Sequence, residues 1–327
     1  MMKLVSVILT LVFVVCVIAG CGSQEEEELA SVTIMLDWVP NTNHTGIFVA
    51  EAKGYFKDEG LDVRIIQPGE VYPEAAVVSG SADFGISFQE QVTLARADNI
   101  PIVSIAAVLQ HNTSGFASLA ELNITDPADF EGLRYGSFGS PFEVPTLKVL
   151  MACAGGDFEK LEIVNTGYAD PLALMSEKKT DLGWIFYGWQ AFQAEQQDIE
   201  INVVMMKDWF DCIPDYYTPI VIASEITISS RPEIVKAVVG ALSRGYEFAV
   251  ENPDDAADLL IAAVPELDSE LVRMSQNWLS SYYRAEARRW GEQKESVWQG
   301  YADWMVENGI LQTSISGKDA FTNEFLP

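Results

Sequence analysis

The chain has 327 residues, 49% of them hydrophobic and 11% aromatic, which excludes disorder over most of its length, because disordered chains are poor in such side chains. Its 48 acidic residues outnumber 20 basic ones for a formal charge of −28, so a phosphate backbone would be repelled and no nucleic acid is expected as a partner. The length exceeds what one hydrophobic core usually supports, and two domains are expected.

Residues 1–3 make a short positive start, and 4–18 form an apolar run of 15 residues, followed by Ala19, Gly20 and Cys21. The run is short for a membrane span and has the proportions of a signal-peptide core. The string Ile18-Ala19-Gly20-Cys21 resembles the bacterial lipobox. That resemblance implies that 1–20 are a signal peptide and that Cys21 becomes the lipidated N-terminus, which anchors the chain to the membrane outside the cytoplasm. Residues 21–31, with four consecutive glutamates from Glu25 to Glu28, have no apolar face and read as a flexible acidic tether. Of the four cysteines, Cys16 would be lost with the signal, leaving Cys153 and Cys212 in the folded part. Their spacing fits no metal motif and leaves open one disulfide in an oxidising compartment or two buried thiols.

The body alternates strands and helices. Alternation over 32–37 stops at Trp38-Val39-Pro40, a strand running into a loop. A helix over 47–56 ends at Gly60, and the β-branched stretch 61–66 predicts the next strand. The cadence continues through a helix at 74–79, a strand at 83–87, a helix at 90–97 and a strand at 102–109. A second series follows, with strands at 133–136, 161–164, 182–186 and 201–206 and helices at 144–153, 171–177 and 189–197. After a strand at 219–223 the pattern turns helical, over 233–250, 254–263, 269–283 and 295–307. This grammar predicts an α/β fold of two mainly parallel sheets flanked by helices, with a helical C-terminal return. The expected lobes are 32–115 with 222–327, and 116–221, joined by crossings near 113–118 and 217–224.

Open α/β sheets bind ligands beyond the C-terminal ends of their strands, so the loops 38–46, 87–90, 110–115, 137–143, 187–193 and 215–218 should face a shared cleft. Those loops hold no GxSxG, HExxH, CxxC or phosphate-binding glycine pattern, and no metal site or cofactor is expected. His44 and His111 are the only imidazoles, and without a matched nucleophile they read as hydrogen-bonding loop residues. What the loops do hold is aromatic rings and primary amides, among them Trp38, Asn41, Phe88, Gln89, Phe138, Phe142, Tyr187, Trp189, Gln190, Gln193, Tyr216 and Tyr217. Rings stack and amides donate and accept along one edge, which suits a planar heterocycle. No arginine or lysine falls in the six loops, so a neutral or weakly basic ligand is favoured over a sulfonate or phosphate.

Four strings, LDWVPNTNHTGIFVAEAKGYFKDEGLDV, SGSADFGISFQE, DLGWIFYGWQAF and PDYYTPIVIAS, carry a family resemblance. With them the chain resembles the substrate-binding lipoproteins of ABC importers, in the branch that captures thiamine pyrimidine precursors. The resemblance implies a bilobal, periplasmic-binding-protein type clamp working as a monomer with an ABC permease and its ATPase. It also implies that Trp38 and Asn41 line the cleft from one lobe with Phe88 and Gln89, that Ser137 and Phe142 line it from the other, that Tyr187 and Trp189 are stacking walls, and that Tyr216 or Tyr217 lies near the hinge. With the hydrogen-bonding His44, His111 and Gln193, these are the expected ligand-binding residues. The family tends to place an acid shortly after the second tryptophan of the third string, where this chain reads Gln190-Ala191-Phe192-Gln193. Riboflavin or another flat heterocycle is therefore an alternative ligand. The same superfamily includes the hydroxymethylpyrimidine phosphate synthases, enzymes with a lysine-bound pyridoxal phosphate, a consumed histidine and a cysteine-rich tract. This chain has the single Cys212 where that tract would fall, so a binding protein is expected rather than an enzyme.

Overall fold

The computed structural model describes residues 29–69, 71–167 and 169–327. The expected signal peptide, Cys21 and most of the expected tether lie outside the described residues. Among those described, no helix is long and apolar enough to cross a membrane.

The chain opens with β1 (Ala30–Met35), α1 (Thr45–Ala52), α2 (Tyr55–Asp58), β2 (Leu61–Ile66), α3 (Pro73–Ser79), β3 (Phe84–Ser87), α4 (Gln89–Ala97) and β4 (Ile102–Ala107). It continues through β5 (Ser114–Leu119), β6 (Arg134–Ser137), α5 (Glu143–Cys153), β7 (Glu162–Asn165), α6 (Pro171–Ser176), β8 (Leu182–Phe186), α7 (Phe192–Gln196) and β9 (Ile201–Met205). It closes with β10 (Ile220–Ser224), α8 (Glu225–Ser230), α9 (Pro232–Glu251), α10 (Pro253–Ala263), α11 (Ser269–Arg284) and α12 (Glu295–Glu307).

Two five-stranded sheets result, ordered β2-β1-β3-β10-β4 and β7-β6-β8-β5-β9. In each, four strands run one way and one runs against them, so both are mainly parallel. The opposed strand is β10 in the first sheet and β5 in the second, each laid down directly after the chain has crossed between sheets. β5 falls where the sequence pattern gives only a crossing, because SGFASL carries no β-branched residue to mark a strand. It is nonetheless central and almost wholly buried.

The first sheet packs α1, α9, α10 and α11 on one face, around Ile34, Phe84, Val221, Leu242, Tyr246 and Trp290. α1 and α9 cross closely, and a Cβ at Gly245 would run into the Gly46 carbonyl. The chain's last residues finish this sheet: Phe321 bridges Ser104 of β4, and Phe325 and Leu326 join the core. The second sheet encloses Phe116, Tyr135, Leu147, Leu182 and Trp184. α12 spans both cores: Trp298 packs with Ile220 and Ile222 of the first sheet, while Tyr301, Trp304 and Met305 join the second. Its amphipathic face meets Tyr216 of the return crossing, with the Tyr216 and Tyr301 rings 4.5 Å apart. Cys153, at the end of α5, forms a disulfide with Cys212, closing a 59-residue separation within the second sheet's segment.

Two polar ties hold the crossings. His111 lies between the sheets on the outward crossing, its Nδ1 2.5 Å from Asp215 of the return crossing and its Nε2 2.8 Å from Glu286. Both ring nitrogens face carboxylates, and chiefly the Asp215 hydrogen bond pushes the imidazole up to about 9. Gln89 is fully buried, accepting the Tyr217 amide at 2.8 Å and donating to the Val297 carbonyl.

Candidate functional site

A cavity of about 340 Å³ opens at the C-terminal ends of the parallel strands of both sheets. Asp37 and Trp38 follow β1, and Phe88 and Glu90 follow β3, on the side of the first sheet. Phe138, Phe142 and Trp189 follow β6 and β8 on the side of the second, with Trp184 and Phe186 inside β8. This is where strand-end loops leave backbone groups and side chains unpaired by the sheet.

Local chemistry fixes each wall. After β1, Asn41 caps the 3-10 turn Thr42–His44, its Oδ1 accepting the Asn43 amide at 2.9 Å. His44 reciprocates: Nδ1 accepts the Asn41 amide at 3.2 Å, and Nε2–H donates to Asp37 Oδ1 at 2.6 Å. That pair of bonds sets the tautomer and holds the Asp37 carboxylate at the cavity edge. After β6, the fully buried Glu143 carboxylate accepts from the Tyr135 hydroxyl at 2.7 Å and from the Phe138 and Ser140 amides at 3.1 and 2.6 Å. Gly139 supplies the positive φ of 97° this loop needs. Phe138, Phe142 and Trp184 then meet edge to face, with centroids 5.9 to 6.2 Å apart. After β8 the chain makes a π-helical turn, Tyr187–Ala191, a geometry frequent at functional sites. Gln190 Oε1 accepts the Phe186 amide at 2.9 Å within it, and Ser275 of α11 donates to the Gly188 carbonyl.

The lining contains three carboxylates, Asp37, Glu74 and Glu90, and among its described residues no lysine, arginine or histidine. Glu74 takes the Ser87 hydroxyl, and burial raises its carboxyl above the usual range. Glu90, 3% exposed, is pushed by burial up to about 8, against the smaller effects of its own backbone amide and the Tyr216 hydroxyl. Its Oε2 has no hydrogen-bond partner. Trp184 Nε1, Thr180 Oγ1 and Thr218 Oγ1, all from lining residues, are buried and unpartnered as well. Buried polar atoms are nearly always paired, so four without partners on the lining residues of one cavity set it apart.

Of the expected ligand-binding residues, Trp38, Asn41, Phe88, Phe142, Trp189 and Tyr216 line the cavity. The others stand behind it or apart. His44 is buried and works through Asp37. Gln89 and Tyr217 tie β3 to the return crossing, the Tyr217 hydroxyl accepting the Lys294 amide at 2.9 Å. Ser137 accepts the Gly139 amide at 3.1 Å. His111 bridges the crossings. Tyr187 does not line the cavity: the π turn sends Trp189 to it and Tyr187 onto Trp278, with ring centroids 5.2 Å apart. Gln193 points away too, donating to Asp170 at 3.3 Å. The sequence pattern passed over Asp37, Glu74, Glu90, Trp184 and Phe186. A carboxylate in the first turn of a helix, as at Glu74 and Glu90, is ordinary capping chemistry, and among 48 acidic residues nothing marks it as buried.

The chain is similar to a formylaminopyrimidine-binding protein of Halalkalibacterium halodurans, 29% identical over 98% of each chain. A 4-amino-5-hydroxymethyl-2-methylpyrimidine phosphate synthase of Legionella pneumophila is 28% identical over 90% of this chain and 92% of its own. Among solved structures, the alkanesulfonate-binding protein SsuA of Xanthomonas axonopodis pv. citri superimposes with a TM-score of 0.67 at 14% identity, covering 90% of this chain and 99% of that one. At that identity the likeness speaks for the fold, which is the bilobal, periplasmic-binding-protein type. The family model described as NMT1/THI5 like matches residues 41–256, well over half of the chain, and this protein therefore belongs to the NMT1/THI5-like family.

Proposed function

We propose that this chain is the solute-binding component of an ABC importer, a binding protein and not an enzyme, which captures a thiamine pyrimidine precursor or a similar flat heterocycle. The observation that carries this reading is the cavity itself. Aromatic rings from both sheets wall it, buried polar atoms of its lining residues lack partners, and the charged groups among its described lining residues are all carboxylates. Such a lining favours a neutral or basic ring and disfavours sulfonates and phosphates. A synthase of the related kind holds its cofactor on lysine, and no lysine, histidine or cysteine is present among the described lining residues. The name of the Halalkalibacterium halodurans relative points to the same ligand class.

The clamp works by hinge closure of two lobes about the crossings at 108–113 and 206–219. In this reading Trp38, Asn41, Phe88, Phe142, Trp189 and Tyr216 contact the ligand, while His44, Gln89, His111, Ser137 and Tyr217 position them. The monomer, tethered by lipid on Cys21 outside the membrane, hands its cargo to a permease and ATPase. A thermal-shift screen of thiamine, its pyrimidine precursors, riboflavin and small sulfonates tests the ligand, since a tight binder raises the melting temperature by mass action. Stabilisation by sulfonates alone would refute it. Cys21→Ala is expected to move the protein from the membrane to the soluble fraction of expressing cells, and unchanged membrane retention would refute the anchor.

A further inference from the structure

We propose that Glu90 is the specificity-determining residue of the cavity, pairing its carboxyl group with an amidine edge, an exocyclic amino group beside a ring nitrogen. The inference rests on the reading of the cavity as a heterocycle site and goes beyond it by naming the edge and the residue that selects it. The three cavity carboxylates are not equivalent. Asp37 is engaged by His44 and Glu74 by Ser87. Glu90, on the first turn of α4, has Tyr216 beside its carboxyl and leaves Oε2 buried and without a partner. Across the cleft, in β8 of the second sheet, the Trp184 indole N–H is the complementary orphan, a donor without an acceptor.

A carboxylic acid sets a donor and an acceptor side by side, the complement of a ring nitrogen next to an amino group. If the proton moves to the ring, the same two hydrogen bonds persist with their charges exchanged, so the complex holds one proton between the partners either way. Burial supports the protonated form of Glu90 at neutral pH. The other titratable groups around it are the Tyr216 and Tyr301 hydroxyls and, facing the cavity, Glu74 and Asp37; no cationic side chain among the described lining residues opposes protonation.

Calorimetry with two probes of one shape tests this: 4-amino-2,5-dimethylpyrimidine, and 2,4,5-trimethylpyrimidine, in which a methyl replaces the amino group. The wild type is expected to prefer the amino probe by about tenfold or more. Glu90→Gln, whose amide also offers a donor and an acceptor, keeps most of that preference, and Glu90→Leu abolishes it. Between about pH 7 and pH 9.5 wild-type affinity for the amino probe falls as the carboxyl loses its proton, while that of Glu90→Gln does not. Should Glu90→Leu fail to fold, this pH comparison decides alone, and parallel profiles overturn the proposal. Binding of both probes without discrimination, or discrimination that survives Glu90→Leu, overturns it while leaving the cavity a heterocycle site. If neither probe binds the wild type, both readings are overturned.

Discussion

Replacing Glu90 by glutamine should change how stability depends on pH in ligand-free protein. The Glu90 carboxyl has an ordinary value of 4.5 and is held near 8 in the fold, chiefly by burial. Between those values the folded chain keeps a proton that the unfolded chain releases, so this group stabilises the fold below its unfolded value and loses that contribution as pH rises toward 8. Each pH unit inside the window is worth about 1.4 kcal/mol. From about pH 5.5 to about pH 7.5 the wild type should therefore lose about 3 kcal/mol relative to Glu90→Gln, which has nothing to ionise there. Other titrating groups, Glu74 among them, are common to both proteins and cancel in the difference. Urea unfolding at three pH values, on protein freed of cargo by unfolding and refolding, measures it. Parallel stability curves for the two proteins would show that Glu90 ionises freely and that its burial carries no electrostatic penalty.

Trp38→Ala and Trp189→Ala should each weaken ligand binding by about 1 to 3 kcal/mol if the rings stack on the heterocycle, and unchanged calorimetric affinity in both would reject that role. On α9, Gly245→Ala should destabilise by about 2 kcal/mol or more, because the new methyl meets backbone that has nowhere to go, whereas Gly240→Ala, whose Cβ would lie 3.8 Å from its nearest neighbour, should gain about 0.5 to 1 kcal/mol from helix propensity. Equal effects at the two glycines in urea unfolding would refute the close crossing of α1 and α9. Removing the disulfide in a Cys153→Ser, Cys212→Ser double variant should cost about 4 kcal/mol, the loop-closure entropy of its 59-residue separation. Dithiothreitol should lower the wild-type midpoint to that of the variant and leave the variant unmoved.

Much of this architecture is legible in the sequence because parallel α/β sheets write a strong signal. Strands such as IVSIAA in β4 are buried on both faces and read as unbroken apolar runs, and their helices carry a 3.6-residue period. From that cadence alone the strand-end loops follow, and six of the residues expected in the cleft line it. What stays hidden depends on three-dimensional placement. SGFASL does not look like a central strand until two neighbours cover it. The π turn brings Trp189 to the cavity and carries Tyr187 away from it, by a fraction of a turn that no periodicity encodes. The pairing of Cys153 with Cys212 requires knowing that the end of α5 meets the return crossing, with Cα atoms 6.3 Å apart. The loss of an acid at Gln193 is visible in the string, yet the carboxylates that face the cavity come from the other sheet, where burial and not residue type distinguishes Glu90 from the acids of the surface.

The order in which the chain completes itself has a consequence for how it is made. Strand β10 enters between β3 and β4 only after the whole second sheet has been synthesised, and Phe321, Phe325 and Leu326 seal the first core from the last few residues. A nascent polypeptide therefore has no finished N-terminal unit to lock prematurely while the ribosome is still at work. That delay keeps the first half slack until the second has been made, and then lets both halves close together.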